Sequence, residues 1–341
     1  MVEVRRNKVD DGSSSEWIET LFPMIHRVPL PTPFAVGDIN SYFIEGSKPT
    51  LIDVGVKSSK SLSVLEEHLE AIGYKLSDIK RIILTHHHLD HTGAAALIAK
   101  QNNAEVLMSS SCKDKLEIGD KHHEIYWEFL LRCGFPKELG EQIQSGSSMM
   151  KKFSEDWDSF DGVKLIEDGD EIEFDDFALK CLSTPGHCPD HLCFYSQERH
   201  VAFSGDHLLP KITPNPLLYF DADTKVRRKS LIEYLDSLDR FEALREMKAV
   251  FPGHGKPIEN VYDLIKDNRR KIEIRKKAFI ELLQKNGESL VFDIAAAHFG
   301  KLHLMEYYLA VSETIAYLDL LVQEGSLELI EAENSVTARL A

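Results

Sequence analysis

The spacing of hydrophobic residues divides the chain into short apolar runs and longer segments with helical periodicity. Apolar runs bounded by turn residues predict β-strands. The first four lie at residues 42–44, 50–52, 82–84 and 105–108, and later ones at 176–183, 192–195, 200–204 and 249–251. Between them, residues 61–72 carry leucine and isoleucine at helical spacing, which predicts an amphipathic helix. Strands that alternate with helices indicate a core of mixed α and β structure.

Residues 113–160 interrupt this alternation with a largely helical pattern rich in aromatic side chains. The aromatic residues are Tyr126, Trp127, Phe129, Phe153 and Trp157. One interpretation is that this stripe packs on the core, as helical aromatic stripes usually do. The other is that the insertion covers a site, because long insertions often form lids or binding loops. On the second interpretation, Tyr126 and Trp127 are candidate substrate-binding residues.

The two ends of the chain differ from its middle. Residues 1–16 are polar and serine-rich, which predicts a loose leader. From residue 264 onward, helical patterns precede two short strands around a Glu-Asn turn. These patterns lie at residues 264–285, 292–298 and 303–323. We therefore predict a catalytic domain over residues 17–263 and a winged-helix-like domain over 264–341, since 341 residues exceed the usual size of one domain.

Composition indicates a globular protein and narrows its expected partners. Hydrophobic residues make up 43% of the chain and charged residues 28%, which is ample material for a buried core. The formal net charge of −16 repels nucleic acids unless a local basic patch overcomes it. The sequence has neither a long apolar run nor a signal-peptide pattern, so we expect a cytoplasmic protein without a membrane segment. Its five cysteines are expected to be reduced thiols.

The densest chemical signal is THHHLDH at residues 85–91, between a predicted strand and a helix-like run at 94–100. In an extended stretch His86 and His88 point to one side and His87 points away. Two imidazoles can then share one metal ion, while Asp90 and His91 can bind a neighbouring ion. The spacing H-x-H-x-D-H arises by chance in roughly two of a thousand such chains. A metal site is therefore favoured, with a surface histidine patch or a purely structural metal as the alternatives.

Three later segments repeat the order of apolar strand, turn and ligand-type residue. They are STPGH at 183–187, SGD at 204–206 and PGHG at 252–255. A lone histidine is more often structural than a ligand, and a Gly-Asp step is more often a turn. Taken together with the first motif, however, His187, Asp206 and His254 become strong candidates for metal binding.

These motifs resemble those of the metallo-β-lactamase superfamily over about residues 25–260, and LIDVG at 51–55 is similar to a strand-Asp-turn that supports the family's metal loop. The resemblance implies an α+β fold, an αββα sandwich with the site at one edge of two packed sheets. It also implies two groups of ligands: His86, His88 and His187 for one ion, Asp90, His91 and His254 for the other, and Asp206 as the bridge. Such ligands suit zinc, iron or manganese, and we expect two divalent ions, with zinc preferred.

Three residues beside the motifs are not expected to bind metal. Cys188 is interpreted as a small neighbour of His187, because family members usually carry other residues there. His191 is interpreted as a supporting or structural residue. His207, directly after Asp206, is a candidate substrate contact or a hydrogen-bond partner of a ligand.

This chemistry predicts a hydrolase. Two adjacent divalent ions lower the pKa of a shared water and hold hydroxide ready near neutral pH. We expect this hydroxide to attack a small-molecule carboxylic ester, thioester or lactone, because the chain is acidic, the insertion is aromatic, and the resemblance extends to small-molecule hydrolases. Asp90 is predicted to be both a ligand and the proton carrier, and Asp206 the second catalytic carboxylate.

Two other functions stay open. A hydrolase core with C-terminal helices also resembles the β-lactamase-like endoribonucleases, and the first C-terminal helix is basic. Its cations are Lys266, Arg269, Arg270, Lys271, Arg275, Lys276 and Lys277. Residues 303–323, where a winged helix would contact nucleic acid, contain Glu306, Glu313 and Asp319 and no lysine or arginine. Nucleic acid is therefore not expected, and packing or homodimer formation is the preferred role of this domain. Flavodiiron proteins use similar ligands but also need a flavin-binding domain, which the sequence does not show.

Overall fold

A computed structural model describes residues 5–7, 18–22, 24–118, 123–150, 162–221 and 223–341. Two mixed β-sheets pack face to face, and helices cover both outer faces. The predicted α+β fold, an αββα sandwich, is therefore confirmed.

The first sheet contains eight strands in chain order. They are β1 (Arg5–Asn7), β2 (Ile18–Phe22), β3 (Ile25–Leu30), β4 (Ile39–Ile44), β5 (Thr50–Ile52), β6 (Arg81–Ile83), β7 (Glu105–Met108) and β8 (Val163–Leu165). Strands β1 to β5 pair antiparallel, and β5 to β8 pair parallel. Two helices, α1 (Ser59–Ala71) and α3 (Ala95–Asn102), return the chain between parallel strands and bury Leu65, Leu69 and Ile98 on the outer face.

The strands of the second sheet are β9 (Glu171–Glu173), β10 (Ala178–Ser183), β11 (Leu192–Ser196), β12 (Val201–Gly205) and β13 (Ala249–Pro252). Their order in the sheet is β13-β12-β11-β10-β9. Alternation along β11 sends Phe194 into the core between the sheets and Cys193 into the core outside. Helices α7 (Ser230–Glu242) and α8 (Val261–Asn286) contribute Leu238 and Ile265 to that outer core.

The insertion contains three helices, α4 (Ser110–Ile118), α5 (His123–Arg132) and α6 (Lys137–Met150), so its helical character is confirmed where it is described. Phe153 and Trp157 lie outside the described residues. Residues 1–16 were predicted to form a loose leader, but Arg5–Asn7 form the strand β1 and pair with β2. The other residues of this segment lie outside the described ranges.

The C-terminal part follows the predicted order of helices and hairpin. Helices α9 (Val291–Phe299) and α10 (Leu304–Gln323) precede the antiparallel strands β15 (Leu327–Glu331) and β16 (Val336–Leu340). One short strand, β14 (Ser289–Leu290), was not predicted and pairs with β16. Side chains of α8 and α10 join the same core as α5 and α7. The boundary at residue 264 falls inside α8, and the division into domains stays a prediction.

Two further sequence expectations concern the chain as a whole. All five cysteines are buried and none forms a disulfide. Within the described ranges, no helix has the length and apolar character needed to cross a membrane.

Candidate metal centre

The predicted ligands come together at one edge of the sandwich, where strands of both sheets end. THHHLDH follows β6 and leads into the short helix α2 (Leu89–Thr92). His187, Asp206 and His254 follow β10, β12 and β13, which run in the same direction and therefore end at the same edge. Strand direction thus explains how ligands more than a hundred residues apart in sequence become neighbours.

Three histidines form one group of converging ring nitrogens. Nδ1 of His88 lies 3.0 Å from Nε2 of His86 and 3.0 Å from Nε2 of His187. Zinc–nitrogen bonds of about 2.0–2.1 Å in tetrahedral geometry place ligand nitrogens about 3.3 Å apart. The separations are close to this value, so the group could hold one divalent ion.

A second group lies beside the first. Nε2 of His254 is 3.3 Å from Oδ2 of Asp90, and Asp90, His91 and His254 each offer one ligand atom within 4.8 Å of the other two. Nε2 of His91 and of His254 are buried and have no hydrogen-bond partner among the described atoms. Buried polar atoms without partners are rare, and a metal ion is one explanation for them.

Asp206 lies between the two groups. Its Oδ2 is 3.6 Å from Nε2 of His187, and its Oδ1 is 3.5 Å and 3.7 Å from Nε2 of His91 and His254. Oδ1 is buried and likewise lacks a hydrogen-bond partner in the described part of the chain. One carboxylate oxygen therefore faces each group.

The ring nitrogen that points away from the centre is engaged in every one of the five histidines. Such contacts fix the tautomer, because a nitrogen that donates its proton outward leaves the other nitrogen with a free lone pair. The partners are Thr85 Oγ1 for His86 (2.9 Å), Tyr219 Oη for His88 (2.9 Å), Asp53 Oδ2 for His91 (2.7 Å), Asn215 O for His187 (2.9 Å) and Asp38 O for His254 (2.8 Å).

Burial and neighbouring charge act differently on the two groups. Burial lowers the pKa of His86, His88 and His187, which keeps these imidazoles neutral and able to bind metal. Burial also acts to lower the pKa of His91 and His254, but the carboxylates of Asp206 and Asp90, joined by Asp53 beside His91, together outweigh it and raise both. The electrostatic potential is therefore more negative at the second group of ligands than at the first.

The backbone at Gly253, the first glycine of the PGHG motif, lies so close to two ligands that a side chain would not fit. A Cβ on Gly253 would contact Asp206 Oδ1 and would lie 2.8 Å from Cε1 of His91. A side chain at this position would occupy the space between the two ligands. Gly205, which has a φ of +46°, is confined in the same way by Thr85 and His191.

The three predicted substrate contacts lie outside this cluster. His207 is 1% exposed, and its ring packs 5.3 Å from that of Tyr234 and 5.5 Å from that of Phe241. Trp127 packs against Phe135 and Gly140 inside the insertion. Tyr126 is nearer, with its ring 6.5 Å from that of Tyr219. Their roles in substrate binding stay predictions, and the burial of His207 favours a packing role.

Several residues that support the centre were not assigned a role from the sequence. Asp190 accepts hydrogen bonds from the backbone amide of His87 (2.8 Å) and from its Nδ1 (2.7 Å). Tyr219 comes from the loop before α7, where nothing in the local sequence distinguishes it. His191 supports the centre as interpreted, since its Nε2 accepts the backbone N–H of Asp206 at 3.0 Å.

Comparison with known proteins gives the same picture. Residues 35–254 match the family model described as the Metallo-beta-lactamase superfamily. The chain is 30% identical over 313 residues to the probable metallo-hydrolase YqjP of Bacillus subtilis (strain 168), covering 91% of this chain and 92% of that protein. It is 24% identical to an atrochrysone carboxyl ACP thioesterase of Aspergillus fumigatus, covering 84% and 76%.

Among solved structures, a metallo-beta-lactamase family protein of Thermus thermophilus superposes with a TM-score of 0.80 at 26% identity, over 94% of this chain and 100% of that one. The family match covers more than half of the chain and includes all seven residues of the cluster. The chain therefore belongs to the metallo-beta-lactamase superfamily and is a metal-dependent hydrolase.

Proposed function

We propose that this chain is a dinuclear hydrolase that cleaves small-molecule carboxylic thioesters, esters or lactones. The observation that carries the proposal is the position of Asp206, with one carboxylate oxygen toward the three histidines and the other toward His91 and His254. A carboxylate in that position can bridge two cations and balance part of their charge. His86, His88 and His187 would hold one ion, and Asp90, His91 and His254 the other.

Two divalent ions in these positions supply Lewis acidity, which polarises a carbonyl oxygen and makes water acidic enough to attack near neutral pH. The residues of this chain supply the rest. Asp90 has a side chain that is 14% exposed, against 9% for Asp206 and 6% for His254, so it lies nearest to solvent among these three. We assign to Asp90 the transfer of the proton from the attacking water to the leaving group.

Thioesters are the preferred substrate class. One relative that aligns along most of this chain is named as a thioesterase. A thiolate is also a better leaving group than an alkoxide and needs little help from a general acid. Asp90 is more exposed than Asp206, and its Oδ2 lies 3.3 Å from Nε2 of His254. One partly exposed carboxylate as proton carrier fits a reaction that needs little acid catalysis.

The pairing of the basic residues on α8 supports a small substrate over RNA. Phosphate binding requires free cations, and each neutralised phosphate adds to the salt dependence of binding. Five of the predicted cations instead contact carboxylates of this chain. The pairs are Arg269 with Asp239 and Glu242, Arg270 and Lys271 with Asp267, Arg275 with Glu313, and Lys276 with Glu273 and Glu324.

The test is a substrate panel with the full chain loaded in turn with zinc, manganese or iron. The panel contains an aryl thioester, an aryl ester, a lactone and a single-stranded RNA, and Asp206→Asn is the matched control. We expect thioester turnover that falls by more than about 100-fold in the variant, since loss of a mere supporting residue already costs about 10- to 100-fold. Efficient RNA cleavage with no turnover of the three acyl substrates would replace this proposal by the endoribonuclease.

A further inference from the structure

The middle histidine of the HHH motif is held in a hydrogen-bonded chain that ends at a proposed metal ligand. Asp190 Oδ1 lies 2.7 Å from Nδ1 of His87, and Nε2 of His87 lies 3.2 Å from the hydroxyl of Tyr219. The same hydroxyl lies 2.9 Å from Nε2 of His88. Asp190, His87, Tyr219 and His88 are therefore connected in series, and the chain reaches the three-histidine group through Nδ1 of His88.

The direction of each hydrogen bond follows from the metal end. Nδ1 of His88 can bind metal only if it carries a lone pair, so the proton of the neutral ring must be on Nε2. Nε2–H then donates to Tyr219 Oη. The hydroxyl proton of Tyr219 is left to donate to Nε2 of His87, which places the proton of that ring on Nδ1.

The opposite end requires the same direction independently. The backbone N–H of His87 can only donate, and it donates to Oδ2 of Asp190 at 2.8 Å. Oδ1 of the same carboxylate accepts from Nδ1–H of His87. With its Nδ1 protonated, a neutral His87 must accept at Nε2, which is the state derived from the metal end.

We propose that Asp190, His87 and Tyr219 form a hydrogen-bond relay that holds His88 in the tautomer with a free Nδ1 and thereby sets the metal affinity of the three-histidine group. The three are positioning residues, and the relay rests on the proposed function, since it requires that His88 binds metal. Reversal of the relay would put a proton on Nδ1 of His88, which lies 3.0 Å from Nε2 of both His86 and His187.

The packing around Tyr219 keeps its hydroxyl in place. The residue is 8% exposed, its ring meets that of Tyr126 edge to face, and the ammonium of Lys115 lies 5.1 Å from the ring centroid. Both neighbours come from the insertion. Tyr126 thus acts on the centre through Tyr219, which gives the aromatic insertion a function that needs no contact with substrate.

Two variants affect the relay in different ways. Tyr219→Phe removes the hydroxyl and keeps the ring, so His88 loses its partner but is free to adopt either tautomer. In Asp190→Asn, the amide oxygen must turn to the backbone N–H of His87, so the NH₂ group faces Nδ1. His87 then carries its proton on Nε2, Tyr219 accepts it and donates to His88, and the relay is reversed. A misdirected tautomer of this kind is costly in other histidine–carboxylate pairs.

The experiment is a titration of the metal-free full chain with Zn²⁺ in competition with a chromophoric chelator, together with the visible spectrum of Co²⁺. We expect Tyr219→Phe to weaken binding at one of the two sites by about 10- to 100-fold, in the range found for residues behind metal ligands. Asp190→Asn should weaken it further. In the double variant the reversing hydroxyl is absent, so affinity should recover to the level of Tyr219→Phe alone. Tyr74→Phe, which removes a tyrosine hydroxyl that bonds Glu45 away from the centre, is the control and should bind as the unmodified chain does.

The outcomes separate the relay from the proposed function. If the unmodified chain binds no Zn²⁺, the proposed function fails and the relay fails with it. If the unmodified chain binds Zn²⁺ but Tyr219→Phe binds it equally well, or the losses in the double variant add, the relay alone is wrong. A further ion whose binding is lost in Cys188→Ala would also overturn the relay, because the ring nitrogens of His87 and His88 would then bind that ion together with Cys188 and could not all take part in the relay.

Discussion

Oδ2 of Asp53 lies 2.7 Å from Nδ1 of His91 in a fully buried contact. The same carboxylate accepts hydrogen bonds from the backbone amide and the hydroxyl of Thr85, at 2.9 Å and 2.8 Å. Asp53 itself has a φ of +53°, a left-handed conformation that aspartate and asparagine tolerate better than most residues. The turn after β5 therefore supports the metal loop through Thr85 and orients one of its histidines.

Asp53→Asn tests this contact with little change in shape or backbone preference. The amide would place a donor where an acceptor is needed, so His91 would lose the partner that fixes its tautomer. We expect metal affinity at one site and kcat/KM to fall by about 10- to 100-fold. Metal content after dialysis and turnover of an aryl thioester give the two readouts, and unchanged affinity would show that Asp53 is only structural.

Gly253→Ala tests the close approach of the PGHG loop. The added methyl would meet Asp206 Oδ1 and Cε1 of His91, so we expect loss of bound metal. Gly300→Ala is the control, because that position has a φ of +73° and open space around its Cβ. It should cost about 1 to 3 kcal/mol of unfolding free energy, because the backbone at Gly300 (φ +73°, ψ −147°) suits glycine best, and leave metal content unchanged. Full metal content in Gly253→Ala would mean that the loop can move away without disturbing Asp206.

His207→Leu separates packing from substrate binding. Burial holds the pKa of His207 well below 6.5, so the unfolded chain binds the extra proton. This contribution to stability is present above the unfolded pKa and is lost as the pH falls toward the lower folded value. In metal-free protein between about pH 5 and 6.5, the variant should show a pH slope of unfolding free energy smaller by up to about 1.4 kcal/mol per pH unit.

The same variant should keep the KM of the unmodified chain if His207 only packs between Tyr234 and Phe241. Denaturant titrations and steady-state kinetics supply the two measurements. A raised KM with an unchanged pH slope would restore His207 as a substrate contact.

Asp319→Ala tests the connection between α10 and the loop before α7. Arg227 is 8% exposed and pairs with both carboxylate oxygens of Asp319, one of them at 3.0 Å. Removal of Asp319 leaves the buried Arg227 with Glu331 at 3.2 Å, whose side chain is 42% exposed, as its remaining carboxylate partner in the described chain, so we expect a loss of about 2 to 3 kcal/mol of unfolding free energy. Glu328→Ala, which breaks the exposed pair with Arg339, should cost less than about 1 kcal/mol. Equal losses in the two variants in urea denaturation would contradict this account.

The sequence predicted many, though not all, of the elements whose pattern is local. β5 and β7 have the predicted limits, because compact apolar runs between turn residues are strong strand signals. Helix α7 was missed although Leu231, Tyr234, Leu238 and Phe241 have helical spacing. β14 has two residues, and its partner strand lies far along the chain, so no local pattern marks it.

The same limit applies to the centre. His86, His88, Asp90 and His91 lie in one motif and could be found by their spacing. Asp190 could have been suspected, because it is a polar residue three positions after His187 and directly before His191 and a buried strand. Tyr219 could not, since it reaches His88 across 131 residues of sequence and only the packing of the insertion brings it there.

The most direct test of the dinuclear centre is the number of ions bound by the unmodified chain and by His88→Ala. Elemental analysis after saturation with Zn²⁺ and removal of free metal should give two ions per chain, and about one in the variant, because Asp90, His91 and His254 remain in place. One ion per chain at saturation, or two in His88→Ala, would contradict the account.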